Sequence, residues 1–141
     1  MIVSKNEHFI NTKLAYKLRH VNEPALLQRD WTGYFHTKIS TFLTWLHQQL
    51  QVQLIDGISL ATMAHYFLVV LHPFHDGNGR CARLLMNWVL MKCDYPPVII
   101  PSQNKDGYLE SLRLADQGDI RPLIRFVSKC LVDTVDKIEN F

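Results

Sequence analysis

Two apolar segments, "LATMAHYFLVVL" (residues 60–71) and "RCARLLMNWVLMKC" (residues 80–93), constrain the fold more than any other feature of the chain. The first is apolar on almost every side, the mark of a helix enclosed by other helices. The second has the same character and is halted by Asp94-Tyr95-Pro96-Pro97, because the two prolines cannot continue a helix. A polar loop, residues 72–79, joins them. Such a pair predicts a buried helix–loop–helix at the centre of the domain.

The remaining segments fit around that centre as helices. Residues 31–50 carry Trp31, Tyr34, Phe35, Ile39, Phe42, Leu43, Leu46 and Leu50 at helical spacing, in one apolar stripe. Residues 104–117 and 120–138 read as two more helices. Gly118 suits the left-handed residue that closes the first, and Pro122 fits the first turn of the second. Ser59 is the expected N-cap of the 60–71 helix, and "VII" (residues 98–100) is a short extended piece. Residues 5–20 form a weaker amphipathic pattern, broken around Pro24, and residues 1–30 stay poorly defined beside a helical core over 31–138. The predicted class is all-α with little or no β structure, one domain over residues 1–141.

Composition narrows the function classes. Hydrophobic residues make up 48% and charged residues 20%, as in a globular domain. A net charge of +2 is too small to argue for nucleic acid or an anionic membrane. His72 and Asp76 interrupt the longest apolar run before it reaches membrane-spanning length. Three cysteines at helical positions read as buried thiols in a reducing compartment, and no leader pattern opens the chain, so the cytoplasm is expected.

The second apolar segment carries polar exceptions. Arg80, Arg83 and Asn87 are spaced i, i+3, i+7 and share a helix face. Two guanidinium groups leaving the first turn of a buried helix call for an anion. The preceding Asp76-Gly77-Asn78-Gly79 allows close backbone approach and an N–H nest, and the helix start adds its free donors and positive dipole end. Phosphate is the ligand these features share, with Arg83 reaching further along a polyphosphate than Arg80. A lone carboxylate at Asp76 suits Mg²⁺, which keeps most of its waters. His72 can take a proton from an attacking hydroxyl near neutral pH. Base, metal ligand and phosphate cradle in one loop point to phosphoryl or nucleotidyl transfer. Taken singly, each has a plainer reading: a tight turn, a salt bridge, a helix-end histidine. His65, on the same face as His72, is expected to make a structural hydrogen bond, and His75 to face solvent.

"HPFHDGNGRCAR" (residues 72–83) resembles the signature of Fic-domain proteins of the Fido superfamily, H-x-F-x-[DE]-G-N-G-R-x-x-R, with every defined position filled. The likeness runs from about Trp31 to Cys130 and is strongest to the animal branch that resides in the endoplasmic reticulum. It implies an all-α fold and transfer of AMP from ATP to a Ser, Thr or Tyr hydroxyl of a target protein, with release of pyrophosphate. His72 is then the general base and Asp76 the ligand of Mg²⁺ (or Mn²⁺). Gly77, Asn78, Gly79 and Arg80 form the anion hole, Arg83 meets the terminal phosphate, and Phe74 packs into the core to anchor the loop. Tyr108 and Asp116 fall near the base or ribose; Asp116 replaces an Asn that the family places by the adenine. ATP and a target protein are the implied partners, and dimerisation is frequent in the family. If the chain is a fragment, the resemblance implies the endoplasmic reticulum.

Two family elements are not visible in the sequence. The flap hairpin that holds the target has no room in "VNEPALLQRD", and no segment matches the inhibitory helix [ST]-x-x-x-E-[GN]; "TVDKIEN" is one residue too long. A truncated, non-catalytic nucleotide-binding or interaction domain is therefore the alternative. Transfer of UMP or a phosphate group is a smaller one, because the signature grips polyphosphate and says little about the base.

Overall fold

The computed structural model describes residues 31–74 and 76–141, with side chains described from residue 37 onward. The helix expected over residues 5–20 and the break around Pro24 lie outside the described residues. Among the described residues five α-helices follow one another: α1 (Trp31–Val52), α2 (Gly57–Leu71), α3 (Asn78–Lys92), α4 (Lys105–Asp116) and α5 (Arg121–Glu139). A 3-10 turn, Ser102–Asn104, leads into α4, and no strand occurs among the described residues.

The apolar α2 is the central helix. It packs most extensively on α3, and also on α5 and α1. Leu60, Met63 and Phe67 of α2, Met86, Val89 and Leu90 of α3, and Leu123 and Val127 of α5 form one buried cluster. Each such side chain is worth about 1.5–3 kcal/mol on burial. α1 joins through Phe42, whose ring stacks on Phe67 at 3.8 Å between centroids. α4 leans on α5, where Tyr108 meets Phe126.

The ends of the helices explain where the expected boundaries shift. Asp56, and not Ser59, caps α2: its carboxylate accepts the Ser59 N–H at 2.9 Å, so Ser59 is the third residue of the helix and is buried. An aspartate three residues ahead of a free N–H is the better acceptor, and Gly57 lets the helix start early. A Cβ on Gly57 would collide with the Cys93 Cβ, so glycine allows the start of α2 to lie against the end of α3. α3 begins at Asn78 because Gly77, at φ 80°, turns the chain in the left-handed region just before it. At its other end Asp94 takes φ 64° and Tyr95 N–H donates to the Leu90 carbonyl at 2.9 Å, closing the helix ahead of the prolines. Gly118 has φ 100° as expected, with Asp119 N–H donating to the Leu114 carbonyl, and Pro122 sits in the first turn of α5.

Candidate active site

The site grows from the junction between α2 and α3. α2 ends on His72, whose backbone adopts the left-handed region at φ 48° and whose N–H donates to the Leu68 carbonyl. For a non-glycine residue this costs roughly 1 kcal/mol or more, and it turns the chain sharply off the buried helix. His72 is exposed, at the rim of the domain.

The loop is held by Asn78. Its Oδ1 accepts the Phe74 N–H at 2.9 Å, and its Nδ2 donates to the Phe74 carbonyl at 2.7 Å. The side-chain amide thus pairs with both polar groups of one residue's backbone. With 7% of its surface exposed, Asn78 is committed to the loop, so its contribution to an anion site is its main-chain N–H. The anchoring expected from the Phe74 ring is not what the structure shows: the residue is 50% exposed, and Phe74 is fixed through its main chain. The Asn87 side chain lines the same cleft as the arginines, and its amide is likewise committed to a main chain. It accepts the Val98 N–H at 2.9 Å and donates to the Val98 carbonyl at 3.1 Å, tying residues 97–100 alongside α3. An asparagine amide matches a peptide group in shape and polarity, a use that helical spacing alone cannot reveal.

Gly77 brings no side chain to the start of α3, and no side-chain hydrogen bond caps it. The first-turn N–H groups of Asn78, Gly79 and Arg80 therefore have no intrahelical acceptor. Both guanidinium groups fold back over this end, as helical side chains tilt toward the N-terminus. A Cβ built on Gly77 would lie 3.4 Å from Arg80 Nη2, and one built on Gly79 would lie 3.9 Å from both terminal nitrogens of Arg83. Asp76 Oδ1 accepts the Gly77 N–H at 2.7 Å, and its Oδ2 lies 3.5 Å from Arg80 Nη2. Both side chains of that pair are largely exposed, so the pair is worth about 1 kcal/mol at most and yields readily to a ligand.

From Arg80 and Arg83 a cleft of about 770 Å³ runs between α3, residues 98–102 and α4. Leu84 and Ile99 give it apolar walls; Lys105 and Tyr108 stand on the α4 side. Lys105 is a cation the sequence did not mark, because only the fold brings α4 opposite the arginines. His72 and Asp76 do not line the cleft. The structure also separates Tyr108 from Asp116: Tyr108 faces the cleft, whereas the Asp116 carboxylate accepts the Tyr66 hydroxyl at 2.7 Å. Tyr108 in turn meets His65, with Nε2 and the phenolic oxygen 2.8 Å apart. Burial holds His65 down at about 4; a main-chain contact at Ala82 opposes this and the Arg83 charge adds to it. Burial pushes the Tyr108 phenol up, with Arg83 opposing. His75 lies outside the described residues.

Residues 13–90 match the family model described as Fic/DOC family. The protein adenylyltransferase Fic of Drosophila grimshawi is 50% identical over 95 residues, which is 67% of this chain and 20% of that protein. The protein of the same name from Aedes aegypti is also 50% identical over 95 residues, 67% of this chain and 19% of its own length. Among solved structures, Fic-1 (residues 134–508) from C. elegans superposes with a TM-score of 0.71 at 40% identity, covering 74% of this chain and 31% of that one. A Fic-domain-containing signalling protein from Bacteroides thetaiotaomicron gives a TM-score of 0.67 at 28% identity, covering 72% and 44%. The chain spans about a fifth of the length of the curated relatives it matches.

Proposed function

Because the chain belongs to the Fic/DOC family, we propose that it is the core of a protein adenylyltransferase, moving AMP from ATP to a hydroxyl of a target protein. The observation that carries this reading is the uncapped start of α3, with two guanidinium groups folded back over its free N–H donors, directly after the loop that bears His72 and Asp76. The relatives named protein adenylyltransferase Fic support it.

The chemistry follows from that arrangement. The acceptor oxygen attacks the α-phosphorus of ATP; the bond from that phosphorus to the bridging oxygen breaks, and pyrophosphate leaves. The hydroxyl proton passes to the His72 imidazole. Charge growing on the phosphate oxygens meets the N–H groups of Asn78, Gly79 and Arg80 and the Arg80 guanidinium, each such donor being worth about 3–4 kcal/mol in the transition state. Arg83, one turn further along α3, binds the far end of the polyphosphate. A single exposed carboxylate fits a Mg²⁺ (or Mn²⁺) ion that arrives with ATP and keeps its waters, and Asp76 would hold it. That ion supplies charge neutralisation on the phosphates.

The test is incubation with Mg²⁺ and α-phosphate-labelled ATP, alone and with cell lysate, beside His72→Ala. Label on protein that needs His72 supports the proposal. Nucleotide bound by both forms without label points to a binding domain, and label from UTP in preference to ATP points to a different nucleotide. A protein that neither binds nor uses ATP refutes the reading.

A further inference from the structure

Phe74 stands beside the reacting groups and takes no part in the core. It is half-exposed and belongs neither to the buried cluster nor to the side chains packed on it. Among the described residues no other ring lies against it. Single exposed apolar residues are common on protein surfaces. This one differs in how firmly it is held. Its main-chain N–H and carbonyl are both bonded to the amide of Asn78, which is itself buried at the first position of α3. A ring on so fixed a backbone loses little freedom when another group packs on it.

Position decides what that group is. The cleft that receives the nucleotide runs from the arginines toward residues 98–102 and α4, and neither His72 nor Phe74 lines it. An acceptor hydroxyl has to reach His72, so it comes from the loop side, where His72, Phe74 and Asp76 are all exposed. Phe74 is two residues beyond His72, which places their Cα atoms within about 7 Å of each other. An extended polypeptide advances about 3.3–3.6 Å per residue. With a target hydroxyl at His72, the residue one or two places along the target therefore meets Phe74. Asp76, the other exposed side chain there, is engaged with the Gly77 N–H and Arg80. Among the described residues Phe74 is the one large apolar side chain exposed between the end of α2 and the start of α3. A phenyl ring matches an apolar neighbour and gives a polar one nothing in return for its lost water.

We propose that Phe74 is a specificity-determining residue for the acceptor: its ring packs on an apolar side chain of the target protein next to the hydroxyl that receives AMP. This rests on the transfer reading above. It selects hydroxyls by their neighbours. One flanked by leucine or a similar residue is held against the loop, and one flanked by polar residues is not.

The test uses the whole chain and two short serine peptides, identical except that the residues flanking the serine are leucine in one and asparagine in the other. Transfer of label from ATP gives kcat/KM for each. Fully burying a phenylalanine side chain corresponds to roughly 10- to 150-fold, and about half of that free energy remains to be gained at a half-exposed ring, so wild type should favour the leucine peptide roughly 4- to 12-fold. Phe74→Ala should bring the ratio close to one, and Phe74→Leu should keep most of it. A change that only loosened the loop would lower both peptides alike and leave the ratio standing. That result, or a wild-type ratio near one, overturns the proposal. A second measurement does not depend on turnover. The Phe74 ring resonances, identified by their loss in Phe74→Leu, should shift on titration with the leucine peptide and stay still with the asparagine peptide. A ring that does not move overturns the proposal. A ring that moves without any transfer of label supports the contact and refutes the transfer reading beneath it.

Discussion

Acid should weaken this fold through His65 in a way that can be measured residue by residue. The imidazole has an ordinary value of 6.5 and is held at about 4 in the folded state, mainly by burial. Between these values the unfolded chain binds a proton at this site and the folded chain does not. The neutral ring's contribution is therefore complete above pH 6.5 and is lost as pH falls toward 4. A gap of 2.5 units corresponds to a total of about 3 kcal/mol, of which about 2 kcal/mol falls between pH 7 and pH 5. The assay is guanidinium unfolding of wild type and His65→Leu at pH 7, 6 and 5. Other histidines and the carboxylates titrate in both proteins, so the quantity of interest is the change with pH in the difference between the two. The stability of wild type relative to the variant should fall by about 2 kcal/mol from pH 7 to pH 5. A difference independent of pH would refute the reasoning, because it would mean that His65 titrates alike in both states and is not held dry.

Three further outcomes are expected. Asn78→Ala removes both hydrogen bonds to Phe74 and should cost about 1–3 kcal/mol in unfolding free energy. Loosening of the loop that carries His72 should also lower AMP transfer by more than it lowers ATP affinity, read from kcat and KM. Gly57→Ala places a methyl group against Cys93 and should destabilise by about 1–3 kcal/mol with a lowered Tm, whereas Gly107→Ala, which meets only the Phe126 ring at van der Waals distance, should be tolerated within about 0.5 kcal/mol. Arg83→Ala should weaken ATP more than AMP in a binding titration, since it is placed to meet the far phosphates.

Much of this was legible in the sequence, for reasons that can be named. The α2–α3 hairpin followed from apolar runs too uniform for a surface helix, and the arginine pair from i, i+3 spacing; both depend on local periodicity. What escaped depends on partners that are remote in the chain or built of backbone. Asn87 does share the arginine face and lines the same cleft, but nothing in the spacing showed that its amide is taken by Val98, 11 residues on. Asn78 keeps its main-chain N–H for the anion site, and the second use of its side chain, as a clasp on Phe74, was not legible. The Phe74 ring was expected inside and is half exposed, since a clasp on the main chain leaves the side chain free of that duty. Asp116 was placed near a base, and nothing in the sequence could show that its carboxylate accepts the hydroxyl of Tyr66, 50 residues away. His65 was expected to make a structural bond, but nothing in the sequence could name Tyr108 as its partner, 43 residues on.

The double grip of Asn87 on Val98 has a consequence for how the cleft behaves. One jaw of the cleft is the arginine-bearing edge of α3; the opposite jaw includes residues 98–102. Because a side chain of α3 itself holds that second jaw by both polar groups of one residue, the two jaws are a single part. The gap between them works as a fixed gauge, measuring a ligand against one rigid piece and leaving any opening and closing to happen elsewhere.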